Sequence, residues 1–136
     1  MSGEVVVTIP GPIPECLSPN ARCDRHVKAD AIALARRAAY LWTREALLRA
    51  GGASPLPAQG DLVVRWLVEH GGRAKRRDFD NLVGSLKPYL DGIFDALGTN
   101  DVRVVAVVAR QRPAAGESTV TCEVIAVEGD RGWPWG

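Results

Sequence analysis

Residues 61–98 read DLVVRWLVEHGGRAKRRDFDNLVGSLKPYLDGIFDALG, and three kinds of segment follow one another in them. Asp61 to Glu69 is largely apolar and rich in valine, which predicts a strand central in its sheet. His70 to Arg77 holds Arg73, Lys75, Arg76 and Arg77 and no acid, so it reads as a basic loop. Leu82, Leu86, Leu90, Ile93, Phe94 and Leu97 then recur at helical spacing, and Gly98 closes the pattern. Pro88 lies inside it. A proline there clashes with the carbonyl four residues earlier, which predicts a kink or short break near Gly84 to Lys87.

The flanks complete a sheet around that unit. Glu4 to Ile9 is β-branched and ends at Pro10, a first strand. Pro10, Pro12, Pro14 and Pro19 then keep the chain to Arg25 irregular. Val27 to Ala50 predicts a long helix, with Ile32, Ala35, Ala39, Trp42 and Ala46 as its apolar positions and Gly51-Gly52 as its stop. Val102 to Arg110 and Ser118 to Val127 read as strands, joined through a turn at Pro113 to Gly116 into a hairpin. The order β-α-β-α-β-β predicts an α+β fold of two layers, a small mixed sheet carrying two main helices. Residues 1–128 form one domain, and 129–136 are a tail without periodicity. Trp42 and Trp66 are expected in the core. For Trp133 and Trp135, stacking on unpaired bases is weighed against packing on the domain or on a dimer mate, which is the commoner behaviour of a terminus.

The length of 136 residues suits one core. With 46% hydrophobic and 24% charged residues, disorder and fibrous repeats are excluded. No apolar run approaches the roughly 20 residues of a membrane span, and a secretory leader is not expected. Three cysteines are an odd number, so a reducing cytoplasm is the default expectation. Cys16, Cys23 and His26 lie close together, but their spacing matches no common zinc finger and lacks a fourth ligand. The cysteines therefore read as buried or idle thiols.

The formal net charge of +1 hides a sharp pattern. Asn20 to Ala50 holds Arg22, Arg25, Lys28, Arg36, Arg37, Arg44 and Arg49 against three acids. The basic loop ends directly on Asp78, and Asp80, Asp91, Asp95 and Asp101 follow. In extended chain Asp78 and Asp80 point the same way and repel unless a cation lies between them. Mg²⁺, which takes oxygen ligands and keeps several waters, suits such a pair. Asp101, in the turn before the third strand, offers a third carboxylate. The plain alternative makes Asp78 a helix N-cap and Asp80 a first-turn acid, both favoured by the helix dipole. The flanking cations attract a polyanion that the acids alone would reject, which is the logic of phosphodiester hydrolysis with a metal. Lys87 either pairs with Asp91 one turn on or faces the metal site and stabilises phosphate charge.

These residues resemble the RusA family of Holliday junction resolvases, found in phages and prophages. The resemblance rests on Arg76-Arg77-Asp78-Phe79-Asp80-Asn81, then Lys87 on a helix, then Asn100-Asp101 in a turn. A strand ending in proline, Leu17-Ser18-Pro19-Asn20-Ala21-Arg22, His26, Lys28 and a long basic helix precede them, so it spans residues 4 to 127. It implies a homodimeric, Mg²⁺-dependent (or Mn²⁺-dependent) endodeoxyribonuclease that makes paired nicks in branched DNA. Asp78, Asp80 and Asp101 would match the metal-binding acids, and Lys87 the essential lysine. Asn20, Arg22, Arg25, His26, Lys28, Arg73, Lys75, Arg76, Arg77 and Asn81 would contact DNA. No membrane partner or small-molecule cofactor is implied, and the setting would be the cytoplasm of a bacterial host. Two departures stand out. The DN-to-lysine spacing is longer by three residues, which puts Gly84 at the strict position, and Asn100 replaces the first acid of the turn pair. The alternatives are a non-catalytic DNA-binding module of the same fold, and a nuclease acting on forks and flaps. A phosphatase with an aspartyl nucleophile is disfavoured, because Asp78 follows a basic loop rather than a hydrophobic strand.

Overall fold

Alternation of burial shows how the sheet is covered. In β4, Thr119–Ala126, every second residue is buried: Val120, Cys122, Val124 and Ala126 face the helices. The strands β1 (Glu4–Pro10), β2 (Leu62–His70) and β3 (Val104–Pro113) lie beside it in the order β1-β4-β2-β3. The structure, a computed structural model, describes residues 3–128; the tail with Trp133 and Trp135 lies outside them. Helices α1 (Arg25–Arg49) and α2 (Phe79–Leu97) pack together over one face of the sheet, giving the small two-layer α+β arrangement. Trp66, as expected, is in the core.

The last two strands do not form a hairpin. β3 runs parallel to β2, and β4 is antiparallel to both β1 and β2. The physical reason lies in α2. Parallel neighbours need a crossover, and β2-α2-β3 is one, which places β3 on the outer edge of β2. The inner side of β2 is then left for β4, whose second neighbour is β1.

The helices meet through small residues. α1 buries Ala35, Ala39, Thr43 and Leu47, and a Cβ added to Gly92 of α2 would lie 2.1 Å from the Arg36 carbonyl oxygen and 2.9 Å from the Ala39 Cβ. The close approach turns α1 so that Ile32 and Trp42, expected in the core, are exposed. Arg36 closes the pair with a two-pronged bridge to Asp95 at 2.6 and 2.9 Å. α2 is a continuous helix through Pro88, without the expected break. The third strand also starts later than predicted, because Asp101–Arg103 forms a 3₁₀ turn, with the Asn100 side chain accepting from the Val102 N–H at 2.9 Å.

Cys16 and Cys23 are joined by a disulfide, with 5.8 Å between their Cα atoms, rather than being idle thiols. The 3₁₀ turn Glu15–Leu17 and the irregular chain after it fold back to bring the two together. No spacing rule exposes such a closure. The pair gives no support to a reducing compartment. Cys122 is free and fully buried, and burial pushes its thiol pKa up. Among the described residues no helix is long and apolar enough to cross a membrane.

Candidate nucleic-acid interface and acidic cluster

The basic loop is built by contacts at both of its ends. At the first, Gly71 donates to the Ser118 hydroxyl at 2.9 Å, and a side chain there would strike the Gly116 carbonyl at 1.9 Å. At the second, Gln111 of β3 grips the Arg77 peptide: its Oε1 accepts from the Arg77 N–H at 3.1 Å and its Nε2 donates to the Arg77 carbonyl at 2.7 Å. The same Oε1 lies 2.9 Å from His70 Nε2. The loop between them therefore carries Arg73, Lys75 and Arg76 outward on fixed supports.

Arg77 turns inward, unlike its neighbours. Its guanidinium donates to Ser18 Oγ at 3.0 Å, to Ser85 Oγ at 2.7 Å and to the Ile13 carbonyl. Desolvation lowers its pKa from the usual arginine value. It ties the proline-rich loop to α2. Pro19 of that loop also packs over Gly84, where a Cβ would come within 2.3 Å of it.

A cleft of about 760 Å³ opens between the two loops. Six residues expected on DNA line it: Asn20, Arg73, Lys75, Arg76, Arg77 and Asn81. Glu15 is the acid on its wall. The Asn81 Oδ1 atom is buried there without a hydrogen-bond partner. Arg22, Arg25 and His26 are exposed at the start of α1, where the Asp24 carboxylate caps the His26 N–H at 2.8 Å. Lys28 reaches the Ser18 carbonyl at 3.4 Å.

The acids divide into two groups. Asp78 is the N-cap residue of α2 but makes no side-chain capping bond, and Asp80 stands in the first turn. The two straddle a helix start and are not in extended chain. Both are exposed, and neither enters an ion pair among the described residues. Lys87 lies seven residues after Asp80, hence on the same side of the helix. Its Nζ is 2.6 Å from Asp101 Oδ2 and 2.7 Å from Asp91 Oδ1, so it bridges α2 and the turn before β3. The hydrogen bonds to Asp101 and then Asp91 raise the Lys87 pKa. Both readings of the lysine meet here: it pairs with Asp91, and it also holds the acid expected at the metal.

Among the described residues no three of His, Cys, Asp and Glu gather into a group able to hold a metal. Asp101 is occupied by Lys87. Asp78 and Asp80 remain, carboxylates without an ion pair among the described residues and next in sequence to Arg77 and Asn81 of the cleft wall, and Mg²⁺ is commonly held by one or two carboxylates with phosphate oxygens and water completing its shell. The donors are of the oxygen type the ion takes, but two residues apart at a helix start they do not face each other, so the alignment expected of an extended chain is not found. Gln111, Ser18 and Ser85 were not expected at the site. They are uncharged residues whose part depends on long-range packing; Ser18 stands in the Leu17-to-Arg22 motif without a role assigned to it, and no motif marks Gln111 or Ser85.

No family model matches the chain. A Xylella fastidiosa protein described as "Uncharacterized protein" is 34% identical over 131 residues, which cover 94% of this chain and 82% of that one.

Proposed function

We propose that this chain, which belongs to one family with that Xylella fastidiosa protein, is a structure-selective endonuclease that resolves four-way DNA junctions as a homodimer. One observation carries the reading: the chain between Arg77 and Asn81, two residues that line the cationic cleft with Arg73, Lys75 and Arg76, carries Asp78 and Asp80, exposed and in no ion pair among the described residues. A polyanion is attracted by the first group and repelled by the second unless a cation mediates. Asp78 and Asp80 would hold Mg²⁺, with Mn²⁺ as a substitute, and the bound ion would supply a water acidic enough to attack phosphorus at neutral pH. Arg73, Lys75 and Arg76 would bind phosphates and orient the strand, contacts that position DNA without reading sequence. Lys87, kept charged by Asp91 and Asp101, would stabilise negative charge developing on the phosphate. Arg77 would act through the fold, holding the cleft's two walls together. The work would take place in the cytoplasm, whose reducing conditions would hold Cys16 and Cys23 as thiols.

A second reading, a DNA-binding module without catalysis, is favoured by the Lys87–Asp101 pair, which withholds the third acid. One assay separates the two. A synthetic four-way junction, a fork and a flap are incubated with protein in Mg²⁺ and in EDTA. Paired nicks in the junction, dependent on Mg²⁺ and lost in Asp80→Asn, are expected. Tight junction binding with no nicks in Mg²⁺ or Mn²⁺ supports the module, and preferential cleavage of forks or flaps replaces the substrate.

A further inference from the structure

The proline-rich loop between β1 and α1 supplies one wall of the cationic cleft, and the Cys16–Cys23 disulfide closes a ring within it, its ends seven positions apart. The two halves of that ring are held unequally. In the first, Leu17 is buried, the Ser18 hydroxyl accepts from Arg77 at 3.0 Å, the Ser18 carbonyl accepts from Lys28 Nζ at 3.4 Å, and Pro19 lies over Gly84. In the second, Asn20 to Cys23 make a single hydrogen bond among the described residues, from the Ala21 N–H to the Ser18 carbonyl at 3.0 Å, and it lies inside the ring. The disulfide is therefore what fastens this second half, with Asn20 and Ala21 on the cleft wall, to the 3₁₀ turn Glu15–Leu17.

Under the reading above, this bond belongs to a compartment that keeps thiols reduced. Disulfides formed in such a compartment are mostly transient, and they serve catalysis or sensing. Cys16 and Cys23 are both half-buried, within reach of a small reagent, whereas Cys122 is fully enclosed. We propose that Cys16 and Cys23 form a redox switch on the cleft, closed by exchange with a low-molecular-weight disulfide of the glutathione type, and that the closed form binds branched DNA more tightly. One cysteine, as its thiolate, attacks a sulfur of the small disulfide, so that a mixed disulfide forms and one small thiol leaves. The other cysteine attacks the protein sulfur of that mixed disulfide, forming the Cys16–Cys23 bond and expelling the second small thiol. The protein gives up two electrons and two protons, the small disulfide takes them, and excess thiol runs the steps backwards. Closure denies the ring its open conformations. It keeps Asn20 on the cleft that Arg73, Lys75 and Arg76 also line, with the exposed Arg22 on the same ring. In the open form Asn20 and Arg22 must be ordered at each encounter with DNA, at a cost in affinity.

This switch rests on the reading above for its ligand and its compartment, so one arm of the test uses no DNA. The full chain is equilibrated in buffers running from reduced to oxidised glutathione. Alkylation in denaturant, read by mass spectrometry, should count all three cysteines as thiols at the reducing end and Cys122 alone at the oxidising end. A ring that stays closed in reduced glutathione, or open in oxidised glutathione, overturns the switch. Brief trypsin treatment should cut after Arg22 about 10-fold faster in the reduced chain, since cleavage follows the population of the open loop. The second arm titrates a synthetic four-way junction in EDTA. The oxidised chain should bind it about 10-fold more tightly, the scale of ordering one or two side chains in advance. The double variant Cys16→Ser, Cys23→Ser should match the reduced chain in both arms and ignore the buffer. Reduced wild type carries no substitution, so a misfolded variant cannot imitate its result. Equal trypsin rates in the two states overturn the proposal. Unequal trypsin rates with equal junction affinities overturn control of DNA binding and leave the nuclease reading standing. A ring that opens and closes as expected in a chain that binds no junction in either state sustains the redox closure while the reading above falls.

Discussion

Replacing Arg77 by alanine removes one guanidinium and strands the partners it served: two hydroxyls and the Ile13 carbonyl. Unfolding in urea should show a loss of about 2–4 kcal/mol, the scale of breaking a buried polar network. Arg77→Lys should recover only part of it, because an ammonium cannot reach three acceptors in one plane. Arg76→Ala should leave stability within about 0.5 kcal/mol and weaken junction binding instead. The two arginines are neighbours in a run of four cations, and composition assigns them one role. Which of them turns inward depends on Gln111, 34 residues further along the chain and on another strand, and that is why the distinction is invisible in sequence. Lys87 makes a test by pH. Its pKa is raised from its ordinary value of 10.5, so the stabilisation it gives is complete below that value and is lost as pH climbs through the higher folded value. Lys87→Met should therefore be less stable than wild type at neutral pH, with the gap closing in strongly alkaline denaturation series.

Among the elements, the α1–α2 contact is the sharpest to probe. Gly92→Ala places a methyl against the Arg36 carbonyl and the Ala39 side chain, both on a rigid helix. The helices must separate, and overpacking of this kind costs about 1–3 kcal/mol, readable as a lowered melting temperature. All four strands and both helices were legible in the sequence, because valine-rich runs and leucine spacing report local geometry. Their pairing was not. Whether a final strand turns back on its neighbour or crosses to a distant one is set by which sheet edge is open, a property of the assembled layer. The inward face of α1 was legible in part: Ala35 and Ala39 are buried and Ala46 packs against the core, while Ile32 and Trp42 are exposed. A helix whose neighbour offers a glycine packs through its small residues, and periodicity does not separate those from the large ones beside them. The disulfide, too, depends on a chain reversal that prolines permit and no spacing announces.

At the scale of the molecule, the near-neutral total charge conceals a divided surface, and salt should reveal it. Junction affinity plotted against salt on logarithmic axes should be steep for wild type. Removing Arg73, Lys75 and Arg76 together should flatten the slope by up to about 0.9 for each phosphate those side chains neutralise. The candidate site was legible as a set of residue types, since cations followed by acids are local in sequence. Its partition was not, for Asp101 is taken by Lys87 only once α2 and the turn before β3 are in place. The position of β4 carries a further consequence, for the order in which the chain acquires its shape. One of the sheet's two inner strands, β4, is the last in sequence among the described residues, and there β1 has no strand partner but β4. A nascent chain can close β2, α2 and β3 into a local unit as they emerge, yet β1 must wait unpaired until Thr119–Ala126 leaves the ribosome. Long-range pairing of that kind is slow. The rate-limiting event in folding should be the threading of β4 between two strands, and substitutions at Val120 or Val124 should slow refolding more than those in β3.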